Sequence, residues 1–128
     1  MELAKYSMGV GDRFGHQARA QLSAIISARA QGVAVAPVWN KSYREHSIIG
    51  TRPDDVRTEV ESAIKAFSFT GEYHIDADHI SLKNVDLFMQ ACDFFTLDVA
   101  DFSGKPASAA SIKSFLRKHS AFIGKKIE

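Results

Sequence analysis

The sequence predicts an α/β fold, a (βα)4 parallel unit, either the amino-terminal half of a TIM-barrel-like fold or an open flavodoxin-like sheet. Three observations carry this. Short apolar runs alternate four times with longer runs of helical period. The short runs are continuously apolar, as in strands covered on both faces. No hairpin-type turn joins two of them, so successive strands need crossovers and lie parallel. At 128 residues the chain suits a single unit, 1–128, and only part of a barrel, because eight βα repeats take about 250 residues.

The elements follow in order. Tyr6–Val10 is a short strand that ends among glycines, Gly9 and Gly11. His16–Gln31 is a helix with Leu22, Ile25, Ile26 and Ala30 on one face, and Gly32 stops it. Val33–Trp39 is the second strand, with Pro37 near its end or at a bulge. Asn40–Arg52 reads as a polar loop. Pro53 opens a helix to about Ser68, with Val56, Val60, Ile64 and Phe67 at helical spacing. Tyr73–Ile80 is the third strand, Asn84–Cys92 a short helix, and Asp93–Ala100 the fourth strand. After the turn at Gly104-Lys105-Pro106, a helix from Ala107 to about Ile123 carries Ile112, Phe115 and Leu116.

Composition narrows the function classes. Sixteen basic residues against fifteen acidic ones leave a net charge of +1, with no excess to drive general nucleic-acid binding. No apolar run reaches the roughly 20 residues of a membrane helix. The opening Met1–Tyr6 carries Glu2 and leads into a strand rather than a signal peptide. Cys92 is the single cysteine, so no internal disulfide forms and a reducing, cytoplasmic setting is expected. It falls on an apolar helix face and reads as core.

In parallel α/β folds, chemistry gathers at the carboxyl ends of the strands, and the chemical residues of this chain fall there. The first strand ends in Gly9-Val10-Gly11-Asp12-Arg13-Phe14-Gly15-His16-Gln17. Its glycines let backbone N–H groups approach an anion at the helix start. The GxGxxxG spacing is not the dinucleotide fingerprint, and the second strand ends in Asn40 rather than an acid. Asp12 or His16 can equally cap the helix, while Arg13 and Gln17 can face a substrate. The second strand runs into Asn40, Lys41, Arg44 and His46, a set that suits a carboxylated or phosphorylated ligand or a solvated loop. In the third, Asp76 and Asp78 alternate onto one face and His79 follows. Carboxylates in an apolar strand are costly unless paired or metal-bound, so Asp78 is a candidate proton donor and His79 with Asp76 candidate metal ligands. Structural capping beside an exposed histidine is the alternative. Asp98 and Asp101 at the fourth strand can hold a cation, orient His79, or cap a turn.

The segments KYSMGVGDRFGHQ, PVWNKSYREHSIIGT, YHIDADHISLKNVD and DFFTLDVAD resemble, in order, the amino-terminal part of the tagaturonate epimerase family, over Lys5–Asp101. The resemblance implies an isomerase of hexuronate breakdown that interconverts D-tagaturonate and D-fructuronate, uses a divalent metal ion of zinc or manganese type, and is similar to TIM-barrel sugar enzymes. The block DADHISLKNVD is also similar to the third-strand Asp-His segment of class II sugar-bisphosphate aldolases, where the Asp transfers a proton and the His binds zinc. Carried over, Asp78 is the acid/base and His79 a metal ligand. Asp98 becomes a second catalytic carboxylate. Asp12, Arg13, Gln17, Asn40, Lys41, Arg44, His46 and Asp101 become substrate contacts, the basic ones for the carboxylate.

The chemistry agrees with that pattern. The carbon inverted in this substrate pair carries a hydroxyl β to the ketone, so its C–H is not acidified and enolisation cannot invert it. Retro-aldol cleavage, rotation of the aldehyde and re-closure can, given a Lewis acid at the ketone and a base at the β-hydroxyl. Family members are much longer chains, and aldolase-like zinc sites draw further histidines from later strands. Open edges on the first and fourth strands invite a homo-oligomer. Two other readings stand: a catalytically incomplete barrel fragment that serves as a binding or oligomerising module, and a receiver-like phosphoacceptor, which Lys105-Pro106 and the strand-end acids suggest.

Overall fold

Each of the four strands forms, and each pairs only with the strand before and after it in sequence. A computed structural model describes residues 4–126; the part of the signal-peptide reading that rests on Met1–Leu3 lies outside them. The chain forms two compact units, one reaching Asp98 and the other starting at Val99. In the first, β1 (Ser7–Gly11), β2 (Ala36–Ser42), β3 (His74–Ile80) and β4 (Phe94–Leu97) form one parallel sheet in the order β1-β2-β3-β4. An open doubly wound sheet reverses direction at a switch point; this order contains no reversal. Right-handed crossovers that always step the same way put their helices on one face.

That face is the core. From α1 (Ala18–Ala30) come Ala18 and Leu22, and from α3 (Pro53–Ala66) come Val56, Val60 and Ala63. They meet Trp39 of β2 and Ile75, Ala77 and Ile80 of β3, with Phe88, Ala91 and Cys92 closing one side. Burying side chains of the size of Leu22, Val60, Ile75 and Phe88 stabilises by about 1.5–3 kcal/mol each. The Trp39 indole N–H donates to Gln21 of α1 at 2.9 Å, so its polar atom is satisfied inside the packing.

Three expectations are corrected. β2 starts three residues later than its apolar run and continues through Lys41 and Ser42. The segment read as a polar loop contains a second helix, α2 (Tyr43–Ile49). Ser42 and Glu45 form a reciprocal capping box at its start, and Gly50 ends it in the left-handed region at φ 69°. The helix expected over Asn84–Cys92 is a single 3₁₀ turn at Val85–Leu87. The second unit contains α4 (Ala109–Lys118), which begins where the Ser108 hydroxyl accepts the Ser111 N–H at 3.1 Å. Ile112, Phe115 and Leu116 are exposed on it.

The face of the sheet opposite the core helices carries Ala36, Val38 and Phe94 as well as polar residues, the latter gathered toward the carboxyl ends of the strands. Alternation puts Gly9 and Gly11 of β1, Asn40 of β2, Asp76 of β3 and Thr96 of β4 on it. The Asn40 side chain lies across β1: a Cβ at Gly11 would stand 2.5 Å from its Oδ1, and one at Gly9 3.5 Å from its Nδ2. These two glycines make room for an amide, which is a packing role. Gly11→Ala is therefore expected to cost about 1–3 kcal/mol by overpacking. Most of that loss should return in the Gly11→Ala/Asn40→Ala double variant. Urea denaturation of the four proteins checks this, and additive losses would refute it.

Candidate functional site

The regular period of β3 breaks where the chemistry begins. The register with β4 shifts between Ala77 and Ile80, and His79 has φ 53°, a conformation uncommon for any residue but glycine. A bulge of this kind re-aims the side chains of the bulged strand. It returns Ile80 to the core and leaves Asp78 and His79 together at the carboxyl end of the sheet. The Asp78 Oδ1 and the His79 Nδ1 are 2.7 Å apart. With Nδ1–H donated to the carboxylate, Nε2 keeps its lone pair. The His79 side chain is 66% exposed and that of Asp78 21%, so the pair is held on one side and open on the other.

A cleft of about 450 Å³ surrounds it, lined by Ser42, Tyr43, Arg44, Glu45, Asp78, His79, Asn84 and Asp98. Such a volume suits a small polar ligand. The capping box builds one wall: the Ser42 hydroxyl donates to Glu45 Oε2 at 2.9 Å, and the same oxygen accepts the Ser42 N–H at 3.0 Å. The backbone hydrogen bond from Ser42, with the nearby charges of Arg13 and Lys41, holds the Glu45 carboxyl below its usual range against the effect of burial. Arg44 leaves the same turn as the cation of the cleft. On the other wall Asn84 accepts the Ser81 N–H at 2.8 Å, fixing the loop after β3.

Of the residues singled out in the sequence, Arg44, Asp78, His79 and Asp98 meet in this cleft. Asp76 lies one step deeper on the face opposite the helices. Thr96 donates its hydroxyl to Asp76 Oδ2 at 2.8 Å, while Oδ1 is buried without a hydrogen-bond partner among the described residues. Burial, reinforced by repulsion from Asp78, raises its pKa, and the Thr96 hydrogen bond only partly offsets that.

The remaining candidates are placed elsewhere. Asp12 accepts the N–H groups of Phe14, His16 and Gln17 at 3.0, 2.6 and 2.9 Å, and Glu59 of α3 accepts that of Ala18 at 2.9 Å. The start of α1 thus offers its donors to protein carboxylates, which is the capping alternative rather than an anion cradle. Burial works to raise the Asp12 pKa, but those hydrogen bonds and the charge of Lys41 hold it low. Arg13 approaches Glu45 at 4.0 Å. Lys41 is 4% exposed and turns to the helix side of β2, in a separate small cavity beside Gly15 and Glu59. His46, also buried, lines another cavity behind α2 with Thr51, Pro53 and Phe88. Asp101 belongs to the second unit. Sequence reasoning missed Tyr43, Glu45 and Asn84; the Ser42-Tyr43-Arg44-Glu45 spacing was the available signal. Burial pushes the Cys92 thiol up to about 12, which works against a thiolate nucleophile.

A catalytic zinc site takes three protein donors and leaves one position open. This chain brings His79 Nε2 and the unpartnered Asp76 Oδ1, and no group of three His, Cys, Asp or Glu among the described residues can hold an ion. The donors present do not complete a metal shell. No described helix is long and apolar enough to cross a membrane.

The family model for tagaturonate epimerase, UxaE, matches residues 1–127. The native crystal structure of fructuronate-tagaturonate epimerase UxaE from Cohnella laeviribosi is similar with TM-score 0.65 at 18% identity, over 96% of this chain and 27% of that one. The two-glycerol complex of the same enzyme gives TM-score 0.62 at 21% identity, over 88% and 23%. The chain therefore spans about a quarter of the length of these structures, and the likeness speaks for the fold. No curated protein matches the sequence.

Proposed function

The chain belongs to the tagaturonate epimerase family, and from that premise we propose that it carries part of the site of a cytoplasmic keto-uronate epimerase of the D-tagaturonate/D-fructuronate type. One observation bears most of the weight: a hydrogen-bonded Asp78–His79 pair shares its cleft with Arg44. A keto-uronate brings a carboxylate and a row of hydroxyls to such a place. Arg44 binds the carboxylate, for which a guanidinium has matching geometry. Asp78 takes the proton of the β-hydroxyl as the adjacent carbon–carbon bond cleaves, its electron pair passing to the ketone-bearing fragment. After the aldehyde has turned its other face, the bond re-forms and Asp78 returns the proton to the new alkoxide. His79 holds Asp78 through Nδ1, and Asp98 lines the same cleft.

A divalent ion, when bound, supplies a Lewis acid for the ketone oxygen. This chain would contribute His79 and Asp76 to it, and no step above passes through it. The short donor set favours a second reading, in which the chain binds a sugar acid without turning it over.

The test is incubation with D-tagaturonate in deuterated water, with and without added zinc or manganese, followed by NMR. D-fructuronate without deuterium at the inverted carbon is the expected product. Deuterium at that position would replace carbon–carbon cleavage by direct deprotonation. Saturable binding with no product would select the second reading, and neither binding nor product would end both.

A further inference from the structure

A second cavity, of about 180 Å³, lies behind α2 and shares only Tyr43 with the cleft. Its walls come from residues 43–54 and 87–88 of the first unit, so its shape rests on local packing. Phe88, Leu87 and Pro53 make much of it apolar. One buried polar atom interrupts that surface. His46 is 4% exposed, its ring centroid is 5.8 Å from that of Phe88, and its Nδ1 is 2.9 Å from the Thr51 hydroxyl. Nε2 makes no hydrogen bond among the described residues and, unlike Asp76 Oδ1, is not shut off from solvent, so it opens on the cavity. Exposed Arg52 and Asp54 add one charge of each sign to the rim.

We propose that this cavity binds a small neutral phenol-type molecule, a single aromatic ring bearing one hydroxyl, at a site separate from the cleft of Asp78 and His79. Size admits it, because apolar cavities of roughly 150 Å³ take up a benzene ring. Flat carbon fits against Phe88 and Pro53, where a sugar would bury hydroxyls without partners. The single hydroxyl answers His46 Nε2 in either tautomer, since it can donate to a lone pair or accept from an N–H. The imidazole meets it neutral at ordinary pH: burial, with the charge of Lys41, lowers the His46 pKa to about 4. A charged ligand gains nothing at the rim, because a carboxylate attracted to Arg52 is repelled by Asp54, and an ammonium the reverse. No residue given a part in the epimerase reaction is used, so this inference and that reading can fail separately.

Titration of the isotope-labelled 128-residue chain with phenol, read by the amide NMR shifts, tests it. Saturable shifts centred on residues 43–54 and 87–88 are expected. Benzoate and benzylammonium should bind about tenfold more weakly or worse, because their charge must leave water without a net partner. His46→Phe keeps a ring and removes Nε2, so it should weaken phenol by about 2–10-fold, the worth of one hydrogen bond, and leave benzene unchanged. Leu87→Trp, at a position 56% exposed, should block the cavity and abolish binding with the far-UV circular dichroism unaltered. It decides the matter even if His46→Phe fails to fold. The proposal is overturned by absence of saturation, by shifts centred on Asp78 and His79, by benzoate binding as well as phenol, or by indifference to Leu87→Trp. Tighter binding of N-acetyltyrosinamide than of phenol would assign the cavity to a tyrosine of another polypeptide, and overturn it too.

Discussion

On the proposed epimerase reading, Asp78→Asn should lower the rate of D-tagaturonate epimerisation by about 10²–10⁴-fold, the range for loss of a positioned general base. The substitution is chosen because it separates chemistry from architecture. Asn keeps an acceptor for the His79 Nδ1–H, now 2.7 Å from Asp78 Oδ1, so the bulge and the ring orientation survive while the basic oxygen is lost. The urea midpoint should stay near that of the wild type. Asp78→Ala is the harsher comparison, because it also frees the imidazole. A loss of less than about tenfold for Asp78→Asn would remove Asp78 from the role of base. A strong effect there with a weak one for Asp98→Asn would assign the two carboxylates different tasks.

The second large effect is on stability below neutral pH and comes from His46. Its ring is 4% exposed, lies 5.8 Å from Phe88 between centroids, and has Thr51 Oγ1 2.9 Å from Nδ1. Burial, with the charge of Lys41, lowers its pKa from 6.5 to about 4, and Asp55 and Glu45 only partly oppose this. Between those values the unfolded chain takes up a proton that the folded chain refuses. Stability is therefore complete above pH 6.5 and falls as the pH drops toward 4. One pKa unit is about 1.4 kcal/mol, so the whole loss is about 3 kcal/mol. Urea unfolding at intervals from pH 7.5 to 4 should show this slope, and His46→Gln should flatten it. Equal slopes in the two proteins would mean that His46 protonates in the fold at its ordinary pH.

Strand number, parallel sense and the acids at the end of β3 were legible because each rests on local pattern: apolar runs, missing hairpin turns, carboxylates where none are expected. What was hidden depends on contacts between distant residues or on parity. Ending β2 at Trp39 made Asn40 and Lys41 look like neighbours at a loop mouth. The strand in fact continues, and its alternation sends Asn40 over β1 and Lys41 to the helix side. Helix α2 was masked by the polarity of Tyr43-Arg44-Glu45-His46, although Ser42 and Glu45 had the spacing of a capping box. The glycines at the end of β1 suggested an anion loop, a reading that no local rule can separate from room for an amide on the next strand. The bulge at Asp78–His79 leaves no mark in a hydrophobic pattern, because one extra residue shifts the period without changing composition.

The one-directional strand order also has a meaning for biosynthesis. Each strand lies beside the one made just before it, so every pairing closes roughly one repeat of chain rather than the whole length. A polypeptide leaving the ribosome can add β2 to β1, and then β3, without waiting for a partner encoded far downstream. Its newest strand is always an unprotected rim during that growth, which makes the nascent chain most vulnerable to mispairing at its leading edge.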